Sequence, residues 1–432
     1  MNNNITITIH HLGPIQDCTF SVRPFTVLTG PQASGKSTLA KAVYFFLTVK
    51  EDIREAALMP DSDDDSIAMT LEQALNRRLR SKFLSLFGTS WVMPDDMTIS
   101  CQFSEEISMK LYLKPGNADY QNFVYTDYSP RLSQALHEFS QKKYSDDPVS
   151  IRRYWNDIFG FDEDVIYIPA GREMITLLTD VLGSLITLHP EIARKIDYST
   201  RRYISMILSL RSDFDRGTEG LLKKKQYETT ERIDFSSAGR MQQIMDRILQ
   251  GRYQYSDGEE KLLIGQPDER RYVKINYASS GQQEAVWVLN ILYYYLLDPG
   301  NVFVIVEEPE SHLYPDAQKD ILEALALFGN KGNTVLITTH SPYILGAMNT
   351  LLYAEGVSDS PEREKIVSSD LILRAENLAA GYLKDGRIQN ILNDGLISNE
   401  VIDEASSTIN AATDALMELK WKENARGEIS DR

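Results

Sequence analysis

Cysteine is almost missing: Cys18 and Cys101 are the only two in 432 residues, far apart and with no His or Cys beside them. That excludes a disulfide framework and a cysteine-built zinc site, and so low a count suits a reducing cytoplasm. Long apolar runs are missing too. The most apolar stretch, Val286–Leu297, holds Asn290 and is about a dozen residues long, whereas a bilayer-spanning helix needs about 20. The N-terminus, MNNNITITIHH, alternates like a strand and lacks a basic region followed by an apolar one, so no signal peptide is expected. Positive charge is in deficit, 45 Lys and Arg against 62 Asp and Glu, leaving a net charge of −17. A broad nucleic-acid face would need clustered Lys and Arg to neutralise phosphates. Arg201–Arg202, Lys223–Lys225 and Arg270–Arg271 are short basic clusters, and solvated surface charge is the simpler reading of each. Repeats and low-complexity segments are absent as well. The expectation is a soluble cytoplasmic protein of two or three lobes with no membrane partner.

Local patterns fill in the organisation. Ile5–Ile9 and Phe25–Thr29 read as strands, and Thr38–Val49 carries apolar residues at helical spacing. Asp61–Ser66 reads as an acidic loop, Leu71–Phe87 as a helix, and Met97–Phe103 with Ser108–Leu113 as paired strands closed by Pro115-Gly116. Val165–Ile168 is a short buried strand. In the helical tract after it, Ile175, Leu178, Leu182 and Leu185 recur at three or four, as do Met241, Ile244, Met245, Ile248 and Leu249. Between Arg252 and Tyr277 the texture is β, with turns at Ser256-Asp257-Gly258 and Gln266-Pro267-Asp268. Gln282–Leu297 is a helix, and Val302–Val306 and Thr334–Thr338 are apolar strands.

One motif stands out. Gly30-Pro31-Gln32-Ala33-Ser34-Gly35-Lys36-Ser37 matches G-x-x-x-x-G-K-[ST] between a predicted strand and a predicted helix that opens with Thr38. By composition such a match arises in roughly one or two chains in a hundred of this length, and the strand-to-helix context makes chance a poor explanation. Backbone N–H groups of such a loop close around phosphates at the positive end of the helix. Lys36 reaches the β/γ oxygens and the Ser37 hydroxyl ligates Mg2+. Val302–Val306 then ends in Glu307-Glu308-Pro309-Glu310, a buried strand delivering carboxylates: Glu307 to the metal's water shell, Glu308 to the attacking water. Ser279-Ser280-Gly281-Gln282-Gln283 precedes a helix, where small residues make either an ordinary cap or an anion site for a γ-phosphate. His340 ends the strand after the acidic one and completes the set.

Together, in this order, these elements resemble the ABC ATPase superfamily. The resemblance implies ATP and Mg2+ as cofactors, and a signature (Ser279, Ser280, Gly281, Gln282) that completes the phosphate site of another subunit, so a homo-dimer or larger assembly. Glu307 for the usual Asp, and Ala278 for Leu, depart from the pattern; Gln102 is the nearest candidate for a Q-loop glutamine. Transporter cassettes carry the signature closer to the phosphate loop. YIPAGRE (Tyr167–Glu173), YASSGQQE (Tyr277–Glu284), VEEPESHLYP (Val306–Pro315) and ITTHSPYIL (Ile337–Leu345) resemble the OLD-type ATPases of bacterial defence systems, the AriA group of PARIS more than the PtuA group of Septu. By that resemblance Arg172 would contact nucleotide or a neighbouring subunit, although a loop-anchoring arginine is the simpler reading.

The expected fold is therefore α/β, an ABC-type P-loop ATPase head with a helical insertion and an added β lobe. The expected division is 1–48 (N-terminal ATPase part), 49–160 (mixed insertion), 161–174 (ATPase strand), 175–251 (helical insertion), 252–360 (C-terminal ATPase part) and 361–432 (α/β extension). The stretch after His340 is too short for the ATPase's last elements plus a nuclease domain. Asp63-Asp64-Asp65 follows no strand, and no spare carboxylate or histidine cluster is placed for a second chemistry. The expected role is a regulatory ATPase of anti-phage defence that holds a separate effector, a nuclease, until a phage-encoded trigger arrives. The second reading is a RecF-like repair ATPase that clamps DNA, which the acidic balance disfavours.

Overall fold

The computed structural model describes residues 5–58, 70–115, 122–141, 147–193, 195–228, 233–265, 271–398, 400–402, 407 and 410–420. Asp61–Ser66, Gly116 and Gln266–Asp268 lie outside these residues. Strands β1 (Thr6–Leu12), β2 (Ile15–Ser21), β3 (Phe25–Thr29), β4 (Thr98–Gln102), β5 (Ser108–Pro115), β6 (Asn122–Tyr128) and β7 (Asp164–Ile168) come first. They are followed by β8 (Arg252–Ser256), β9 (Glu259–Ile264), β10 (Arg271–Lys274), β11 (Val302–Glu307), β12 (Thr334–Thr339), β13 (Leu378–Lys384) and β14 (Arg387–Asn390). Helices α1 (Lys36–Leu47), α2 (Val49–Leu58), α3 (Leu71–Phe87), α4 (Pro130–Gln141) and α5 (Pro148–Phe159) precede β7. Helices α6 (Arg172–Leu188), α7 (Pro190–Ala193), α8 (Tyr198–Leu210), α9 (Gly217–Glu228) and α10 (Phe235–Leu249) follow it. Finally α11 (Ser280–Leu296), α12 (Pro315–Gly329) and α13 (Pro342–Tyr353) alternate with β11 and β12. No helix among the described residues is long and apolar enough to cross a membrane.

An 11-stranded sheet runs β6-β5-β4-β1-β2-β14-β13-β3-β12-β11-β7. Its β13-β3-β12-β11-β7 side is parallel, and its β6-β5-β4-β1-β2 side antiparallel. The continuous apolar runs are the parallel strands, buried on both faces as such strands must be. Alternation still sorts their side chains. Val304 and Val306 enter one core with α10–α13, and Phe303 and Ile305 enter the other with α1 and α3.

Strands β4–β6, in a stretch expected as an insertion, lie in the main sheet, and the C-terminal extension supplies β13, paired directly with β3. Pairing of this kind joins residues distant in sequence and leaves no local signal. β8–β10 do form a separate three-stranded sheet. In α6, Ile175, Leu178, Leu182 and Leu185 do not make one buried stripe. The buried face holds Arg172, Ile175, Thr176, Thr179 and Gly183, while Met174, Leu178, Val181 and Leu188 are exposed. Polar partners at the α6–α11 contact turn the helix to this face.

Candidate functional site

The phosphate loop starts where β3 ends. Gly30 has φ 143, and a Cβ there would collide with the Leu383 carbonyl of β13, so only glycine fits. Gly35, φ 105, is the N-cap of α1 and offers no side chain to the first N–H groups of the helix. Those donors stay free for an anion. Lys36 is buried, its Nζ donating to Gly30 O at 3.0 Å and Pro31 O at 2.8 Å. Burial pulls its pKa down to about 8 against the opposing pull of Glu308 and Glu310. Pro31, Gln32, Ala33 and Ser37 are exposed, Ser34 and Thr38 half-buried, and Ala33 is left-handed at φ 60. Ser34 Oγ is buried with no partner among the described residues.

Two strands away, β11 delivers the acids. Glu307 is buried, and its Oε2 accepts from the Ala170 N–H at 3.2 Å. Its Oε1 makes no hydrogen bond of ordinary geometry. Glu308 is left-handed at φ 44, its N–H donating to Thr338 O at 2.9 Å. That turn sends its carboxylate toward β12, where His340 Nε2 lies 3.4 Å from Glu308 Oε1 and His340 Nδ1 lies 3.4 Å from Lys36 Nζ. Lys36, Glu308 and His340 thus meet at the carboxyl ends of adjacent parallel strands, where open α/β sheets place ligands.

Sequence reasoning assigned no role to Glu310 or Glu284. Glu310 Oε1 accepts from the Thr339 hydroxyl at 2.6 Å and the His340 N–H at 2.9 Å, fixing the histidine's backbone, while its buried Oε2 is unpartnered. Glu284 is buried on α11 and accepts from the N–H groups of Arg172 at 3.2 Å and Glu173 at 3.0 Å. The acid spacing E-E-x-E and the glutamate closing YASSGQQE were the available signals.

Arg172 opens α6. Its guanidinium is fully buried and donates to Glu307 O at 2.5 Å, Glu308 O at 2.8 Å, Pro169 O at 2.9 Å and Glu284 O at 3.0 Å. Its guanidinium donors are spent on carbonyls of its own chain, the arrangement of a loop anchor. Gln102, the Q-loop candidate, ends β4. It pairs with Thr6, at the end of β1 away from the β1–β2 turn, and its amide donates to Ser104 O.

The signature turn is built as a capping box. Ser279 caps α11, accepting from the Gln282 N–H at 3.4 Å, and Gln282 Oε1 accepts from the Ser279 N–H at 2.9 Å. Ser280 Oγ donates to Glu173 at 2.9 Å. A Cβ on Gly281 would stand 2.7 Å from the His312 carbonyl, so this turn packs closely on the loop after β11. Among the described residues no hydrogen bond or ion pair joins Ser279–Gln282 to the phosphate loop of the same chain.

A phosphate loop after β3, acids ending β11, a histidine ending β12 and a capped signature helix, on a parallel sheet continued by an antiparallel one, define an ABC-type P-loop head. The family model described as "AAA domain, putative AbiEii toxin, Type IV TA system" matches residues 25–346. The chain belongs to that family. No curated protein matches. Among solved structures it is similar to an Smc head bound to the C-winged helix domain of ScpA, with TM-score 0.42 and 9% identity, covering 89% of this chain and 96% of that one. It is also similar to a Pyrococcus furiosus Smc head with an extended coiled coil bound to the C-terminal domain of ScpA, at 0.40 and 10%, covering 94% and 98%. The SMC head domain from Thermotoga maritima gives 0.37 and 12%, covering 90% and 98%. None of these likenesses reaches the level at which a ligand or partner transfers.

Proposed function

We propose that the chain binds and hydrolyses ATP at the Lys36–Glu308–His340 site, in an assembly of copies whose nucleotide state controls a separate effector. The observation that carries the ATPase reading is the convergence of those three side chains on the phosphate loop. Lys36 and the first N–H groups of α1 hold the β/γ-phosphates. Glu308 orients and polarises water, and His340, 3.4 Å from both partners, senses the terminal phosphate. Mg2+ fits the residues present: Glu307 keeps a buried oxygen that makes no hydrogen bond of ordinary geometry among the described residues, and Ser37 an exposed hydroxyl beside Lys36. When bound there, the ion neutralises phosphate charge.

Two features support assembly. The signature turn is exposed at Ser279 and unlinked to its own phosphate loop, as a part acting on another subunit would be. Close by on α6, Met174, Leu178, Val181 and Leu188 leave an apolar stripe to solvent. Mixing Ser280→Arg with Lys36→Ala chains, each inactive alone, should restore some ATP turnover. No rescue in a verified hetero-oligomer would remove the shared site, and unchanged mass after Val181→Asp would remove the stripe from the interface.

The regulatory role rests on the catalytic residues all belonging to ATP hydrolysis and on the OLD-like motif texture, nearest to the AriA group. The effector would be a nuclease and the trigger a phage protein. The family's description names a toxin, which divides the outcomes cleanly. Expression of the chain alone should be tolerated, and expression with its neighbouring effector plus a trigger should arrest growth only with Lys36 intact. Arrest by the chain alone would replace this reading with the toxin one. The RecF-like alternative gains no support from Arg202 or Lys225, which pair with Glu51 at 3.1 Å and Asp298 at 3.0 Å.

A further inference from the structure

We propose that His10, His11 and Asp96 form a binding site for a divalent transition-metal ion of the zinc type, separate from the nucleotide site. Sequence spacing does not reveal such a cluster, because Asp96 lies far along the chain from the two histidines.

Neighbouring residues of a regular strand point to opposite faces. Here the pairs His10–Asp17 and Leu12–Ile15 keep one register, with His11 between them in the left-handed region at φ 50. That local turn breaks the alternation and brings both imidazoles together, with ring centroids 3.9 Å apart. Asp96, just before β4, reaches the pair from a separate segment. Its Oδ2 lies 2.9 Å from His11 Nδ1 and 3.4 Å from His10 Nε2, and one ligand atom from each residue fits within a 4.8 Å span. A tetrahedral ion with Zn–N and Zn–O bonds of about 2.0–2.1 Å has ligand edges of about 3.3 Å. The observed separations bracket that edge.

The next shell points the same way. Asp17 Oδ1 lies 2.7 Å from His10 Nδ1, the length of a charge-assisted hydrogen bond. By accepting the Nδ1 proton it fixes the tautomer that presents the Nε2 lone pair toward Asp96, the carboxylate–histidine–metal arrangement. Ion pairing accounts for the Asp17 contact and for His11 Nδ1, 2.9 Å from both Asp96 oxygens, while the 3.4 Å from His10 to Asp96 is longer than a charge-assisted hydrogen bond. Two imidazoles and one carboxylate suit zinc-like ions better than the all-oxygen preference of Mg2+. The half-exposed side chains leave a coordination position for water. Such an ion would pin the β1–β2 turn to the loop before β4. That turn backs onto the phosphate loop: a Cβ on Gly13 would touch Thr38 Oγ1 at 3.6 Å.

The test is calorimetric titration of chelator-treated, nucleotide-free full-length chain with Zn2+, repeated with Co2+ and its visible absorption. One ion per chain is expected. His11→Ala and Asp96→Asn should each weaken binding at least about tenfold, and Asp17→Asn by about ten- to a hundredfold. His312→Ala and Lys36→Ala should leave it unchanged. Zn2+ should raise the Tm of the unmodified chain and not of Asp96→Asn, whose ATP binding shows that it is folded. Absence of stoichiometric binding, or binding untouched by the His11 and Asp96 substitutions, overturns the proposal.

Discussion

Glu308 Oε1 and His340 Nε2 stand 3.4 Å apart, each held from behind by its own backbone bond: Glu308 N–H to Thr338 O, and His340 N–H to Glu310 Oε1. Catalytic contacts are often long without substrate and tighten when it binds. On the proposed ATPase reading, the pair closes over a terminal phosphate without moving either strand.

Glu308→Gln should keep ATP binding and lower kcat by about a hundredfold or more, whereas Lys36→Ala should lose binding itself. Single-turnover and equilibrium-binding measurements separate the two. Normal turnover in Glu308→Gln would remove that residue from its role.

Lys36 sets the pH response. Its pKa in the folded chain is lowered to about 8 by burial, from 10.5. Between these values the unfolded chain binds more protons, so this group makes stability rise with pH across that window, and its cost is fully present below about 8. ATP phosphates favour the charged lysine, so binding near pH 8 should take up protons and weaken as pH rises further. Calorimetry in buffers of different ionisation enthalpy reads the uptake, and a zero slope would contradict it.

Gly281→Ala forces a Cβ against the His312 carbonyl at 2.7 Å. Displacing the start of α11 should cut hydrolysis about tenfold or more while ATP affinity stays, since the signature acts on phosphate geometry rather than on the loop. Equal losses in both would mean that the turn supports the whole fold.

Arg172→Ala strips a donor from the carbonyls of Glu307, Glu308, Pro169 and Glu284 and leaves Glu284 without its 3.1 Å ion-pair partner. A loss of about 3–5 kcal/mol is expected from urea unfolding. An effect below about 1 kcal/mol would mean water replaces the guanidinium.

Lys82 and Asp52 are a buried pair joining α3 to α2, and burial pulls the lysine pKa down. Lys82→Met should destabilise by about 3 kcal/mol, because among the described residues Asp52 then keeps Arg78, at 3.1 Å, as its one cationic partner. Lys82→Met with Asp52→Leu should recover most of it, as apolar replacements of buried pairs commonly do. A double variant no better than the single would show that the pair cannot be replaced by apolar packing.

What could be read from the sequence was what depends on neighbours. The phosphate loop, the β11 acids and the start of α11 each announce themselves within ten residues, through glycine placement, an apolar run ending in charge, and a serine cap. Glu310 escaped because its role is to hold another residue's backbone across two loops. Arg172 was read both ways because a strand-end arginine looks the same whether it faces phosphate or its own carbonyls; only burial separates the two. The stripe on α6 misled since apolar spacing tells that a helix has a face, not which neighbour takes it.

β13 has a consequence for synthesis. The strand carrying the phosphate loop lies between β12 and β13, and its Gly30 packs on Leu383, so both neighbours come from far later in the chain. While the ribosome is still making those residues, Phe25–Thr29 has two open edges and an apolar face on each side. The nascent chain must carry this aggregation-prone segment until β12 and β13 have emerged. A truncated product ending before Leu378 would lack a wall of the nucleotide pocket. Premature termination should therefore yield inactive, chaperone-bound chains and not a smaller working enzyme.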